Sequence, residues 1–181
     1  IWPLDRGVAY NSYLIVDDKT ALVDTVEDRA AGNYIERIES LLQGRELDYL
    51  IINHMEPDHS GEAKDIVKRW PNVKIVGNLK TFKMVEGYWG FGKDMLHQVE
   101  DGDTLDLGYH KLQFVMTPWV HWPETMMTYD VTEQILFSAD AFGSFGTLDG
   151  GIFDDEINFE YFEEEMRRYF SNIVGKYCNM V

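Results

Sequence analysis

Asn53-His54-Met55-Glu56-Pro57-Asp58-His59-Ser60-Gly61 is the stretch on which the reading of this chain turns, because His54, Glu56, Asp58 and His59 fall within six residues of one another. Two imidazoles and two carboxylates so close together destabilise a fold when left unpaired. A cation that neutralises the carboxylates and takes up the ring nitrogens removes that penalty, so the cluster points to a metal site. Its flanks give it a place. Residues 48–53 form a short apolar run rich in strand formers, suited to a sheet buried on both faces. Downstream, Ala63, Ile66, Val67 and Trp70 follow the i, i+3, i+4, i+7 spacing of a helical stripe that Pro71 closes. The cluster therefore leaves the C-terminal end of a strand, where open α/β folds place their chemistry.

Two more candidates leave strand ends. His121 follows the strand-like residues 112–117, and Asp140 follows the strand-like residues 135–138. The remaining pattern predicts a hairpin from residues 13–16 and 21–26 around Asp17-Asp18-Lys19 and a first helix marked by Ile35, Ile38, Leu41 and Leu42. It continues with a strand over residues 73–76, a helix lined by Phe82, Val85 and Trp89, and a set of strands. A long terminal helix follows, through Phe162, Met166, Tyr169, Ile173, Val174 and Tyr177, with Glu163-Glu164-Glu165 facing solvent.

Composition narrows the function classes. A length of 181 residues with 45% apolar content suffices for one domain with its own core. The excess of 32 acidic over 16 basic residues, a formal charge of −16, argues against nucleic acid or an anionic membrane as a partner, since both need a basic footprint. No apolar stretch is long enough to span a bilayer and no signal-peptide pattern opens the chain, so a cytoplasmic location is expected. The one cysteine, Cys178, suits a reducing compartment and is expected to be a half-buried helix residue without chemistry.

Other features carry less. Glu100-Asp101-Gly102-Asp103 lacks the spaced oxygens of a calcium loop and reads as a turn. The glycines of residues 143–151 lack the Gly-Lys-Ser/Thr ending of a phosphate cradle and read as a mobile loop bordering the metal site. His97 and His110 read as ordinary polar residues. Trp122, directly after a candidate ligand, is either plain core or a cover over the site that adjoins a flavin of a partner subunit.

With six candidates in hand, the chain resembles the metallo-β-lactamase superfamily, whose signature is a His-x-His-x-Asp-His run followed by a distant His and then an Asp. The second His is replaced here by Glu56. That substitution is the form found in flavodiiron proteins, the oxygen and nitric oxide reductases of anaerobes and facultative organisms. An anionic oxygen ligand in place of a neutral imidazole adds negative charge and hardness, which favours redox iron, although carboxylates also bind zinc. The segments at residues 10–15, 21–25, 121–124 and 138–143 are similar to flavodiiron segments too.

The resemblance implies an α/β fold, the metallo-β-lactamase-like αβ/βα sandwich, incomplete at its C-terminal end. It implies a diiron domain over residues 1–181, with His54, Glu56 and His121 on one iron, Asp58 and His59 on the other, and Asp140 bridging. It further implies reduction of O2 to water and/or NO to N2O, with electrons delivered through FMN from a rubredoxin-like or flavoprotein donor, in a head-to-tail homodimer or higher oligomer. The family's further His on the second iron and its flavodoxin-like FMN domain have no counterpart after His121, and the first residue is Ile1, so the sequence reads as a fragment clipped at both ends. Two other readings compete: a non-enzymatic diiron oxygen-binding sensor, and a zinc-dependent hydrolase of the same superfamily.

Overall fold

The computed structural model describes residues 4–148 and 150–180. Ile1, Val181 and Asp149, the last within the glycine-rich segment, lie outside them. Strands β1 (Tyr13–Val16) and β2 (Thr20–Val23) pair antiparallel as the expected hairpin. β2 ends at Val23 rather than Val26, because Asp24 takes a left-handed φ of +53° and hands its N–H to the Ile51 carbonyl at 2.8 Å. Helix α1 (Tyr34–Leu42) then leads into β3 (Tyr49–Ile51), α2 (Pro57–Ser60), α3 (Ala63–Arg69), β4 (Lys74–Gly77), α4 (Leu79–Tyr88) and β5 (Leu96–Gln98). The five strands form one sheet in the order β1-β2-β3-β4-β5, parallel from β2 onward.

A second, antiparallel sheet contains β6 (Thr104–Asp106), β7 (Lys111–Met116), β8 (Met126–Asp130) and β9 (Ile135–Phe137) in that order. Helix α5 (Phe159–Tyr169) follows. The period-2 alternation of strands decides how the layers stack. In the first sheet Leu22, Leu50 and Ile75 point to one side and pack with Ile38, Leu42, Ile66, Trp70 and Val85 of the helices. Their neighbours Val23, Ile51 and Val76 point to the other side and meet Leu105, Leu112, Phe114 and Met126 of the second sheet. Strand β3 is thus buried on both faces, with Leu50 and Ile51 fully excluded from water, which stabilises the fold by roughly 1.5–3 kcal/mol per side chain. This layering is the metallo-β-lactamase-like sandwich that the resemblance implied.

The terminal helix is shorter than expected. After Tyr169 the chain passes through a π turn (Phe170–Val174) and a 3-10 segment (Gly175–Met180) in which Tyr177 leaves helical geometry. Ser171 Oγ and Asn172 Nδ2 donate to the Arg167 and Arg168 carbonyls, competing for acceptors that a continuing helix needs. The turn seats Val174, fully buried, against Val120, Met127 and Ala141. Cys178 is exposed rather than half-buried. Glu164 is exposed as expected, but Glu165 is turned partly inward toward Arg168. The residues 100–103 form a turn, closed by the Glu100 N–H donating to Asp103 Oδ2.

Candidate metal centre

Strand β3 runs straight into the candidate cluster, and the elements around it aim the side chains. The Asn53 N–H donates to Asp24 Oδ1 at 2.8 Å, the Thr128 hydroxyl donates to Asn53 Oδ1 at 2.7 Å, and the Met126 N–H donates to the Asn53 carbonyl at 3.0 Å. One buried asparagine therefore ties the end of β3 to both sheets. Asp58 and His59 do not sit on a loop as expected. Pro57 starts a short helical turn, α2, because a proline at the first helical position loses no hydrogen bond and brings φ pre-set. Gly61 closes it where no side chain fits: a Cβ would fall 2.6 Å from the Pro57 carbonyl oxygen and 2.8 Å from that of Val26. The Thr25 N–H donates to the His59 carbonyl and docks this turn on the exit of β2.

The structure brings all six predicted side chains to one place, in two groups. His54, Glu56, His121 and Asp140 form one, and Asp58, His59 and Asp140 the other, with the ligand atoms of each within 4.8 Å of one another. His54 Nε2 lies 3.3 Å from Glu56 Oε2 and 3.4 Å from Asp140 Oδ2; His121 Nε2 lies 2.9 Å and 3.1 Å from the same two oxygens. On the other side His59 Nε2 lies 3.1 Å from Asp140 Oδ1 and 3.9 Å from Asp58 Oδ2. Asp140 thus turns one oxygen to each group.

Electrostatics describe a site short of positive charge. Burial opposes the imidazolium of His59, yet the hydrogen bond to Asp140 and the nearby negative charge of Asp24 outweigh it and raise the pKa to about 11. For His121 burial is again overcome, by Asp140 and Glu56, giving about 9, and His54 is raised on the same balance by Glu124 and Glu56. Glu56 is held down at about 2 by its hydrogen bonds to His121 and His54. Asp140 is depressed despite its burial, by His121 and His59, whereas burial raises Asp58. Five carboxylates, Asp24, Glu56, Asp58, Glu124 and Asp140, meet three imidazoles here. Asp58 Oδ1 and His59 Nδ1 are buried without a hydrogen-bond partner. His59 Nδ1 is turned to Asp24, but the orphaned Asp58 oxygen among anionic groups is what a cation satisfies, and the two groups of N and O donors fit two metal ions.

Three further residues were not assigned from the sequence. Glu124, fully buried, accepts from His54 at Nδ1 (2.8 Å) and from the Met55 N–H (2.9 Å). Asp24 Oδ2 faces His59 Nδ1 at 3.6 Å. The Tyr169 hydroxyl donates to Asp140 Oδ1 at 2.5 Å, reaching it across Gly143, where a Cβ would fall 2.7 Å from the tyrosine ring. The available signal was the acid three residues after His121 and an aromatic on the inner face of α5; neither spacing names a partner. Trp122 packs on the helix-side core and also stands edge-on to His54 with ring centroids 5.2 Å apart.

A cavity of about 250 Å3 opens on the Asp58–His59–Asp140 side. Its walls include Tyr13, Phe137, Phe142, Phe162 and Tyr169, and residues of the glycine-rich segment border it as expected. His97 is exposed on β5, and His110 faces Asp130 at 2.6 Å, both away from the cluster.

Comparison with known proteins completes the description. A protein-family model described as ODP family beta lactamase matches residues 8–177. The anaerobic nitric oxide reductase flavorubredoxin of Pectobacterium atrosepticum is 37% identical over 97% of this chain, which covers 35% of that protein. Among solved structures, rubredoxin oxygen:oxidoreductase from the anaerobe Desulfovibrio gigas superposes with a TM-score of 0.88 at 32% identity, over 97% of this chain and 43% of that one. The flavodiiron protein from Giardia intestinalis superposes at 0.89 with 29% identity, over 98% and 43%. The chain spans about a third of the length of the curated relatives it matches and under half of each of these two solved structures.

Proposed function

This chain belongs to the ODP beta-lactamase family, and on that premise we propose that it is the diiron domain, spanning residues 1–181, of a flavodiiron reductase that converts O2 to water and/or NO to N2O. The observation that carries the reading is Asp140, whose two oxygens belong to two separate ligand groups. His54, Glu56 and His121 would hold one iron and Asp58 and His59 the other, with Asp140 shared between the two groups. Bound there, an iron pair would supply Lewis acidity and one electron per ion, enough to couple two NO, with the further two electrons for O2 coming from the flavin and its donor. The names of the relatives, a nitric oxide reductase and a rubredoxin oxygen:oxidoreductase, support both the gases and a rubredoxin-like or flavoprotein donor.

The chain's own residues have definable tasks. Glu56, ionised at any physiological pH, places a hard anionic donor where a third imidazole would favour zinc. Trp122 covers the His54 side of the cluster, aromatic side chains line the cavity on the other side, and the Tyr169 hydroxyl donates to Asp140 Oδ1. FMN would be carried by a flavodoxin-like domain and, in a head-to-tail homodimer or higher oligomer, would lie near Trp122 of the facing subunit. Among the described residues no helix is long and apolar enough to cross a membrane, which agrees with action in the cytoplasm. The test is anaerobic purification of the full-length protein, metal analysis, and gas consumption with a reduced donor. About two irons per chain and rapid uptake of O2 or NO are expected. Stoichiometric zinc without iron would return the protein to the hydrolases, and iron with gas binding but no turnover would make it a sensor.

A further inference from the structure

Glu124 is the one carboxylate of the site that is wholly excluded from water, and it does not belong to either ligand group. A single oxygen, Oε1, accepts from both the Met55 N–H at 2.9 Å and the His54 ring at 2.8 Å, so backbone and side chain of the same loop are held by one atom. Its own position is fixed from behind. Asn78 Nδ2 donates to the Glu124 carbonyl at 2.6 Å while Asn78 Oδ1 accepts from the Lys80 and Thr81 N–H groups at the start of α4. Carboxylates face both ring nitrogens and can only accept, but the Nδ1 contact to Glu124 at 2.8 Å is much the shorter, so the proton of a neutral His54 ring sits on Nδ1. Nε2, left with the lone pair, lies 3.3 Å from Glu56 Oε2, 3.3 Å from His121 Nε2 and 3.4 Å from Asp140 Oδ2.

We propose that Glu124 is a positioning residue that locks His54 in the Nδ1-protonated tautomer and, through its buried charge, makes Nε2 the strongest donor of the His54–Glu56–His121 group. The proposal rests on the diiron reading for the identity of the metal but not for the tautomer. Carboxylate partners of metal-binding imidazoles act in this way, and their loss weakens metal binding by about 10–100-fold.

The experiment compares the full-length protein with Glu124→Gln and Glu124→Ala. Gln keeps an oxygen acceptor for both hydrogen bonds and removes only the charge; Ala removes the acceptor. In the metal-free proteins, at a pH high enough for the His54 ring to be neutral, 15N-histidine NMR is expected to show the Nδ1–H tautomer in wild type and in Glu124→Gln, and a tautomer mixture in Glu124→Ala. Anaerobic Fe(II) titration is expected to give affinity about tenfold weaker for Glu124→Gln and weaker still for Glu124→Ala. If Glu124→Ala does not fold, the wild-type spectrum and the Gln titration still decide. An Nε2–H tautomer in the wild type, or wild-type Fe(II) affinity in Glu124→Gln, overturns the proposal. Wild-type protein that ignores Fe(II) but shows the Nδ1–H tautomer overturns the diiron reading and leaves the Glu124 lock standing.

Discussion

The two halves of the candidate centre are built to different tolerances. On the inner half, His54 and Glu124 have no exposed surface, and the ring is held at Nδ1 by a direct 2.8 Å hydrogen bond. On the outer half, the His59 ring is partly exposed and its Nδ1 meets Asp24 only at 3.6 Å, beyond hydrogen-bond distance. The difference follows from where each half is attached. The inner half continues a strand packed on both faces, so its geometry is set by the core. The outer half rides on a single helical turn facing a cavity. A rigid half paired with an adaptable one suits a site that must keep its metals while a small molecule approaches from one side.

The sharpest way to break this comparison is to remove the residue that the halves share. Asp140→Ala is expected to reduce iron content at both positions, to well under one ion per chain, whereas His59→Ala retains the inner ion, with metal analysis as the measure. Equal retention in the two variants contradicts a shared bridge. Next in size is Glu56→His, which restores a neutral ligand on the inner half. Expressed in parallel in iron-rich and zinc-rich media, it is expected to shift toward zinc and lose O2 or NO reduction with the fold intact. Full iron loading and wild-type turnover would remove the main reason for preferring iron.

Gly143→Ala sharpens the comparison from the outer side. The new Cβ meets the Tyr169 ring, so the tyrosine must leave Asp140; a loss of about 1–3 kcal/mol in unfolding free energy is expected, with weaker metal binding on the outer half alone. An unchanged urea midpoint argues that the tyrosine contact is incidental. The smallest effect is one of pH on the metal-free protein. His59 and His121, raised to about 11 and about 9 from 6.5, stabilise the fold fully below about pH 6.5, and this is lost as pH rises through about 9 and then about 11. Glu56, lowered from 4.5 to about 2, contributes above about pH 4.5 and its share is lost as pH falls toward about 2. Melting temperature should therefore decline above neutrality in the metal-free protein and far less in the loaded one. A flat profile from pH 6 to 10 contradicts the assigned ion pairs.

Much of the architecture was legible because hydrophobic periodicity reports burial directly. The alternation through Leu50 and Ile51 announced a strand covered on both sides, and the Ala63–Trp70 stripe announced the helix beside it. Where side chains compete with the backbone, the pattern misled. Ser171 and Asn172 divert the terminal helix although the apolar spacing continues through Tyr177, and Asp24 ends β2 early by adopting a left-handed conformation.

The sequence by itself determined which residue types converge: histidines and carboxylates at strand ends, and Glu56 where the related signature has a histidine, since ligand chemistry is local and travels with the residue. Tertiary structure alone decided how they are shared and held. That Asp140 turns one oxygen to each group, that Glu124 rather than another acid grips His54, and that Tyr169 reaches over Gly143 to Asp140 depend on contacts across 70, 29 and more residues of chain. No spacing encodes such contacts, because packing between the two sheets and α5 sets those distances.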